Sequence, residues 1–371
     1  MEITWEAVVA RRMRRHGLAE PFGSPVDAVR AMCGAHAQIA TAGEASVAIR
    51  VAGADRATVQ SDEGLVKTFG PRGTVHLLPL EDLPMWTGAL SALPSVGSQP
   101  APIRMSADEI DQVIIAIGEA LAHDDLTVDE LTEEVVRRTG DWAREPTIPA
   151  FQGAWARWRQ VTSVAANAGV LCHGPMRGRL MTYANPHRLR PFEPLPADKA
   201  LTELLHRYLY SYGPATPQQF ARWLSTTPTR IKPYFDDLPH ATLADHTVWY
   251  APCDGEFPED DRAEGVRLLP YFDAYGVGSY PRDLLFPGKA FDRATARGQA
   301  GNYPLLLVDG IVAGVWHQKK SGRTLHVTVE ALTPLNRRRR KLLDVEVERL
   351  GAILGGAPSL TLGDVTVGAH A

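Results

Sequence analysis

The stretch Val170-Leu171-Cys172-His173-Gly174-Pro175-Met176-Arg177-Gly178-Arg179-Leu180-Met181-Thr182-Tyr183 reads as two short strands, 170–173 and 180–183, around a turn rich in glycine and arginine. The residues before it read as helix. Residues 107–123 place Ile110, Val113, Ile114 and Ile117 on one face at helical spacing. Leu126-Thr127 opens a second helix running to 138, with Thr127 and Glu130 at capping-box spacing. Residues 151–168 read as a third helix. Three helices followed by a hairpin is the plan of a winged helix, here over residues 105–192.

The same order recurs on both sides. In residues 1–104, a helix over 5–16 is followed by Ser24-Pro25, a cap and first-turn proline. Val26, Val29 and Met32 continue it at helical spacing, and Gly34 stops it. A further helix is expected over 44–51, then strand, tight turn and strand over 67–78. In residues 193–261, helices are expected over 198–212, 218–224 and 229–238, then a short hairpin through Asp245-His246. This repeat is one of architecture, not of sequence. From 262 to 371 the texture becomes strand-rich, with hairpin turns at Asp309-Gly310 and Ser321-Gly322 and a final helix over 338–354. The expected fold is α+β: three tandem winged-helix units forming a concave basic surface, plus a C-terminal β-barrel-like domain.

The chain has 371 residues, ordinary globular composition and a formal net charge of -4. Glu2 and Glu6 flank an N-terminus without an apolar signal core, and no apolar run nears the ~20 residues of a membrane helix. The expectation is a cytoplasmic, nucleoid-associated monomer with no membrane partner. Cys33, Cys172 and Cys253 are far apart, which excludes a disulfide framework and a zinc ribbon. No Walker loop, GxGxxG, HExxH or GxSxG occurs in a convincing context, and neither metal nor cofactor is expected.

Only seven of the 39 basic residues are lysines. That is a bias of GC-rich genomes, so arginine placement carries more weight than arginine number. Residues 151–190 contain Arg157, Arg159, Arg177, Arg179, Arg188 and Arg190 and no acid. They span the expected recognition helix and wing, the two elements with which a winged helix meets DNA. The plainer alternative is a helix with a tryptophan core face (Trp155, Trp158) and an arginine solvent face. Lys319, Lys320 and Arg323 cluster at a hairpin tip suited to clamp a duplex. Arg337 to Arg340 with Lys341 form a third basic cluster, and Glu256, Glu259, Asp260 and Asp261 an acidic loop. Local potential, not the net charge, governs nucleic-acid binding.

Two segments suggest chemistry. In Ala35-His36-Ala37-Gln38-Ile39, just past the Gly34 stop, an extended chain projects His36 and Gln38 together. Arg72-Gly73-Thr74-Val75-His76-Leu77 reads as a wing hairpin with Arg72, Thr74 and His76 as candidate DNA contacts.

His36-Ala37-Gln38, Arg72-Gly73-Thr74-Val75-His76-Leu77, Phe272-Asp273-Ala274-Tyr275 and Gly314-Val315-Trp316 occur in this order, and over nearly its whole length the chain resembles the winged-helix DNA glycosylases of the AlkZ and YcaQ type. The resemblance implies excision of alkylated purines and unhooking of interstrand crosslinks in duplex DNA. Its AlkZ branch is associated with self-resistance in producers of DNA-alkylating natural products. The family's catalytic motif is Gln-x-Gln in AlkZ-like members and Gln-x-Asp in YcaQ-like ones. Gln38 places this chain with the former, and His36 departs from both. An N7-alkylated guanine is already cationic before the bond breaks, so strong acid catalysis is unnecessary. Gln38 is expected to orient water towards C1′ and neutral His36 to accept its proton. Neutral bases such as uracil should be poor substrates. The alternatives are a winged-helix transcription regulator and a damage-binding protein without catalysis.

Overall fold

The structure is a computed structural model that describes residues 1–94, 99–150 and 153–370. It is a mixed α+β chain divided into two compact units. The first comprises Met1–Glu63, Leu205–Trp223 and Thr227–Ala371; the second comprises Gly64–Leu204 and Leu224–Thr226.

In the second unit, the helices Ala107–Ala120 and Val128–Thr139 both begin with complete capping boxes, Ser106 with Glu109 and Thr127 with Glu130. Each box satisfies two of the backbone N–H groups that a helix start leaves open. Their apolar faces meet in one core, where Val113, Ile117, Leu131, Val135, Trp158 and Leu171 are fully buried. A three-stranded antiparallel sheet closes it, in the order Leu126–Thr127, Thr182–Ala184, Cys172–His173. The hairpin Leu65–Phe69 with Val75–Pro79 forms as the sequence predicts.

Over the described residues 153–168 the helix expected over 151–168 does not form as one element; Phe151 and Gln152 lie outside the described residues. Gly153–Ala156 is a strand paired with Pro146–Ala150, Arg157–Val161 is a 3-10 turn, and only Thr162–Asn167 is α-helical. Gly153 sits at φ +91, a conformation incompatible with helix where glycine is at ease, and pairs its strand with the preceding Pro146–Ala150. Trp155 and Trp158 share the three-residue spacing of a helical face. Yet Trp155 is 48% exposed on its strand, while Trp158 is wholly buried with its indole N–H donating to Thr132 Oγ1 at 3.0 Å.

In the first unit, helix Trp5–Arg15 is capped by Thr4, and helix Pro25–Ala31 by Ser24 with Pro25 in its first turn. The chain start pairs with the hairpin His240–Leu243 and His246–Trp249, through Ile3 N–H to Thr242 O and Thr242 N–H to Met1 O, both 2.9 Å.

The C-terminal part of this unit holds a five-stranded sheet in the order Val266–Leu269, Leu305–Val308, Ile311–Ser321, Thr324–Ala331, Ala357–Leu362. The first four strands are antiparallel. The last joins parallel to its neighbour after the crossover helix Arg337–Leu354, which buries Leu343, Val347 and Leu350. The barrel-like closing domain is thereby corrected: among the described residues, the strands Val266–Leu269 and Ala357–Leu362 remain the two edges of an open sheet. A helical crossover lays the final strand beside its parallel neighbour instead of bringing it round to the first. The sequence did not announce that strand, nor the short helices Ala274–Gly278, Arg282–Leu285 and Lys289–Ala294. No helix among the described residues is long and apolar enough to cross a membrane.

Candidate active site and basic surfaces

Helix Pro25–Ala31 ends at Met32, and Cys33 and Gly34 then take positive φ values of 53 and 92. This reversal feeds the extended pair Ala35–His36, and a bend at Gln38 leads into helix Ala40–Ala48. Ala35 and Ala37 are buried in the core. His36 is only 9% exposed, whereas Gln38 is open to solvent. The segment is gripped from one side by Gly43, whose missing Cβ would lie 2.6 Å from His36 O and 3.0 Å from Ala37 Cα. The arrangement supplies an enclosed imidazole followed two residues later by an exposed amide. Two open clefts in this unit, of about 440 and about 560 Å³, are lined by neither residue.

Both flanks of the segment are tied to distant chain. Before it, Ser211 Oγ donates to Ala31 O at 2.7 Å and Tyr212 Oη donates to Met32 O at 2.5 Å. Burial drives the Tyr212 phenol well above its ordinary pKa, so it stays a donor. His16 hydrogen-bonds Ser211 O through Nε2 at 3.1 Å; burial, and then the Arg50 charge, lower its pKa to about 3. After it, Ser46 Oγ donates to Asp273 Oδ2 at 2.6 Å, and Arg50 meets both oxygens of Asp273 at 2.8 Å. Burial opposes the Asp273 charge, but Arg50 and Ser46 outweigh it and hold the carboxyl below its ordinary pKa.

The Phe272-Asp273-Ala274-Tyr275 motif is therefore architectural in this fold. Asp273 also accepts the Tyr275 N–H at 3.0 Å and so starts helix Ala274–Gly278, while Tyr275 Oη donates to Gly310 O at 2.8 Å in the Asp309-Gly310 turn. In Gly314-Val315-Trp316, the Trp316 indole N–H donates to Leu269 O at 2.8 Å.

In the second unit, Arg72-Gly73-Thr74-Val75-His76-Leu77 forms its turn through Arg72 at φ 63 and Gly73 at φ 65. Thr74 Oγ1 donates to Pro71 O at 3.0 Å. The His76 ring is 1% exposed, with Nδ1 2.8 Å from Thr74 O. A carbonyl only accepts, so Nδ1 carries the proton. Burial, then the Arg72 charge, lower the His76 pKa to about 3. This places His76 inside the hairpin, while Arg72 and Thr74 are half-buried.

The acid-free arginine window is not acid-free in space. Arg157 lies 3.3 Å from Glu109 and 3.2 Å from Glu145, Arg177 is 2.7 Å from Glu130, Arg188 2.6 Å from Asp125 and Arg190 3.0 Å from Glu81. Arg159 instead lies over the exposed Trp155 ring at 4.1 Å, and Arg179 is exposed on its turn without an ion pair among the described residues. Exposed ion pairs are weak and exchangeable, but Arg157, at 17% side-chain exposure between two carboxylates, is committed to the fold.

At the other hairpin, Lys319, Lys320 and Arg323 are all exposed around Gly322, at φ 58. Lys320 Nζ donates to Gly355 O at 2.7 Å, and Ala357 N–H donates to Arg323 O at 2.8 Å, so the tip is braced by the final strand. In the third basic cluster, Arg338 pairs with Glu264 and Arg339 with Asp309. The sequence also missed that the acidic loop answers the first helix: Arg14 pairs with Asp261 and Arg15 with Asp254, while Arg11 lies 3.6 Å over Phe257. No group of three His, Cys, Asp or Glu among the described residues is arranged to hold a metal.

An α+β chain with this enclosed segment and these basic hairpins matches an enzyme class, the DNA glycosylases, in three comparisons. The chain belongs to the AlkZ-like DNA glycosylase family, whose model matches residues 29–353. It is 33% identical over 342 residues to the interstrand DNA cross-link repair glycosylase of Streptomyces sahachiroi, covering 85% of this chain and 88% of that protein. The structure of the Streptomyces sahachiroi DNA glycosylase AlkZ superposes with a TM-score of 0.80 at 25% identity, covering 98% of this chain and 100% of that one. The chain is an enzyme that acts as a DNA glycosylase in DNA repair.

Proposed function

We propose that this glycosylase hydrolyses the N-glycosidic bond of N7-alkylated guanine in duplex DNA, acting as a monomer on bulky natural-product adducts and on interstrand crosslinks, with self-resistance in an antibiotic producer as its role. The relative's activity, interstrand cross-link repair, supports the crosslink part. The observation that carries the reading is the His36-Ala37-Gln38 segment, gripped by Gly43 and presenting an enclosed imidazole beside an exposed amide.

The chemistry is dictated by charge. Alkylation at N7 leaves the purine cationic, so the C1′–N9 bond breaks with its electron pair returning to the base as a neutral leaving group. Water then forms the new C1′–O bond, and its proton needs an acceptor. Gln38 orients that water through its amide oxygen, and neutral His36 takes the proton. With no carboxylate in the motif, stabilisation of the oxocarbenium-like centre is modest, and the rate depends on a bond that is already labile.

The helix–hairpin segments 1–104, 105–192 and 193–261 serve, in this reading, as three winged helices around the duplex. The open-sheet segment 262–371 adds the Lys319, Lys320 and Arg323 hairpin against the phosphates. Arg72, Thr74, Arg159, Arg177 and Arg179 are further phosphate contacts, with Arg177 exchanging Glu130 for DNA. The test is incubation with an N7-alkylguanine duplex, scoring free base and alkali-labile abasic sites. Release lost in the His36→Ala, Gln38→Ala double variant supports the assignment; binding without release by the unaltered protein overturns the substrate.

A further inference from the structure

The segment Ala35–Gln38 is short and irregular, and nothing in its own sequence fixes where His36 and Gln38 point. Its entry is set by two residues of unusual backbone, Cys33 and Gly34, both at positive φ directly after the helix-ending Met32. A helix end exposes carbonyls with no intrahelical donor. Here two of them, Ala31 O and Met32 O, receive side-chain hydroxyls from consecutive residues, Ser211 and Tyr212, some 180 residues further along the chain. Neither hydroxyl is exposed to solvent: Ser211 is 0% and Tyr212 2% exposed.

Tyr212 is itself immobilised. Its ring packs on His16 at 5.1 Å and Tyr208 at 5.2 Å between centroids. A Cβ on Gly278 would lie only 2.2 Å from the ring, so the tyrosine occupies a slot that exists because residue 278 has no side chain. Gly278 ends the helix that Asp273 begins. Asp273 in turn holds Ser46 and Arg50, and so fixes the helix that comes after Gln38. One buried polar block thus grips the segment at both ends.

We infer that Tyr212 is a positioning residue for the glycosylase reaction, acting through the Met32 carbonyl to set the place of His36 and Gln38. The inference rests on the reading of those two residues as the catalytic pair. Its physical content is that a misplacement of about 1 Å in a water-positioning group costs far more rate than binding. Removal of one hydroxyl at the helix end lets the Cys33-Gly34 reversal relax and displaces His36 and Gln38 with it.

The experiment is single-turnover base release from an N7-alkylguanine duplex, with DNA affinity measured separately, at a temperature where far-UV circular dichroism shows each variant folded. Tyr212→Phe is expected to slow release by about tenfold or more with Kd for the duplex unchanged. Gly278→Ala, which displaces the ring without touching its hydroxyl, should reproduce the loss. The distinguishing measurement is a double-mutant cycle. In the His36→Ala, Gln38→Ala background, Tyr212→Phe should remove no further activity, because it acts only through those residues. A folded Tyr212→Phe protein with unaltered rate overturns the inference, as does a loss that is fully additive to the double variant. If the double variant itself keeps full activity, the catalytic assignment fails first, and the positioning inference falls with it for that separate reason.

Discussion

Arg50 and Asp273 meet in a two-armed ion pair, 2.8 Å on each arm, with no exposed surface on either side chain. They lie 223 positions apart in the chain, and both belong to the first compact unit. Ser46 and the Tyr275 N–H satisfy the remaining lone pairs of the carboxylate. A charge pair this deep is kept by geometry, because each member alone would be an uncompensated buried ion.

Asp273→Ala should therefore destabilise the protein by about 3–5 kcal/mol, since it strands the Arg50 guanidinium. Chemical denaturation followed by circular dichroism measures it. A loss below about 1 kcal/mol would mean that water or another group replaces the carboxylate. Ser46→Ala removes the hydroxyl's bonds to Asp273 and from Arg50 but leaves the ion pair, so its cost should be smaller, about 1–2 kcal/mol.

His36→Ala and Gln38→Ala should each lower base release by about 10²-fold or more, the range for a general base or a water-positioning group. Protonated His36 would repel the developing cation at C1′ and could no longer accept a proton. The single-turnover rate should then fall as pH is lowered. A flat profile from about pH 5.5 to about pH 8 removes His36 from the proton step.

Acid should also unfold both units. His16 and His76 have folded pKa values of about 3, against 6.5 for an ordinary imidazole. At these two sites the folded chain binds fewer protons than the unfolded one between these values, so their contribution to stability is complete above pH 6.5 and falls as pH drops towards 3. At pH 5 each histidine should have cost about 2 kcal/mol. His76→Gln, which cannot titrate, should flatten the acid limb of the denaturation profile for its unit; an unchanged limb would assign acid sensitivity elsewhere.

The proposed hairpin contacts and the ion-paired Arg157 should respond differently to substitution. Lys319→Ala with Arg323→Ala should weaken duplex binding and reduce the salt slope by about 1.8, two counterions at about 0.9 each. Arg157→Ala should instead lower thermal stability and leave the slope unchanged, because Glu109 and Glu145 hold that guanidinium. Equal slope changes in both variants would show that the Arg157 pairs open on DNA.

Local chemistry was legible in the sequence by itself. Ser24-Pro25, the Thr127–Glu130 box, the Asp309-Gly310 turn and the Gly34 stop each act within a few residues, and each element begins or ends where those signals stand. The order of motifs was legible too, and with it the family. Tertiary structure alone decided what side chains meet. The helix read over 151–168 became a hairpin strand, a 3-10 turn and a short helix, because Trp158 found its core and Thr132 its hydrogen bond. The arginine window looked uncompensated only along the chain; Glu81, Glu109, Asp125, Glu130 and Glu145 arrive from other elements. The final parallel strand, which leaves the sheet open, depends on a crossover helix docking, not on any turn signal. The reason is common to all three: caps and turns are bonds between near neighbours, whereas charge pairing, burial and sheet order are set by residues that meet only when the chain has folded.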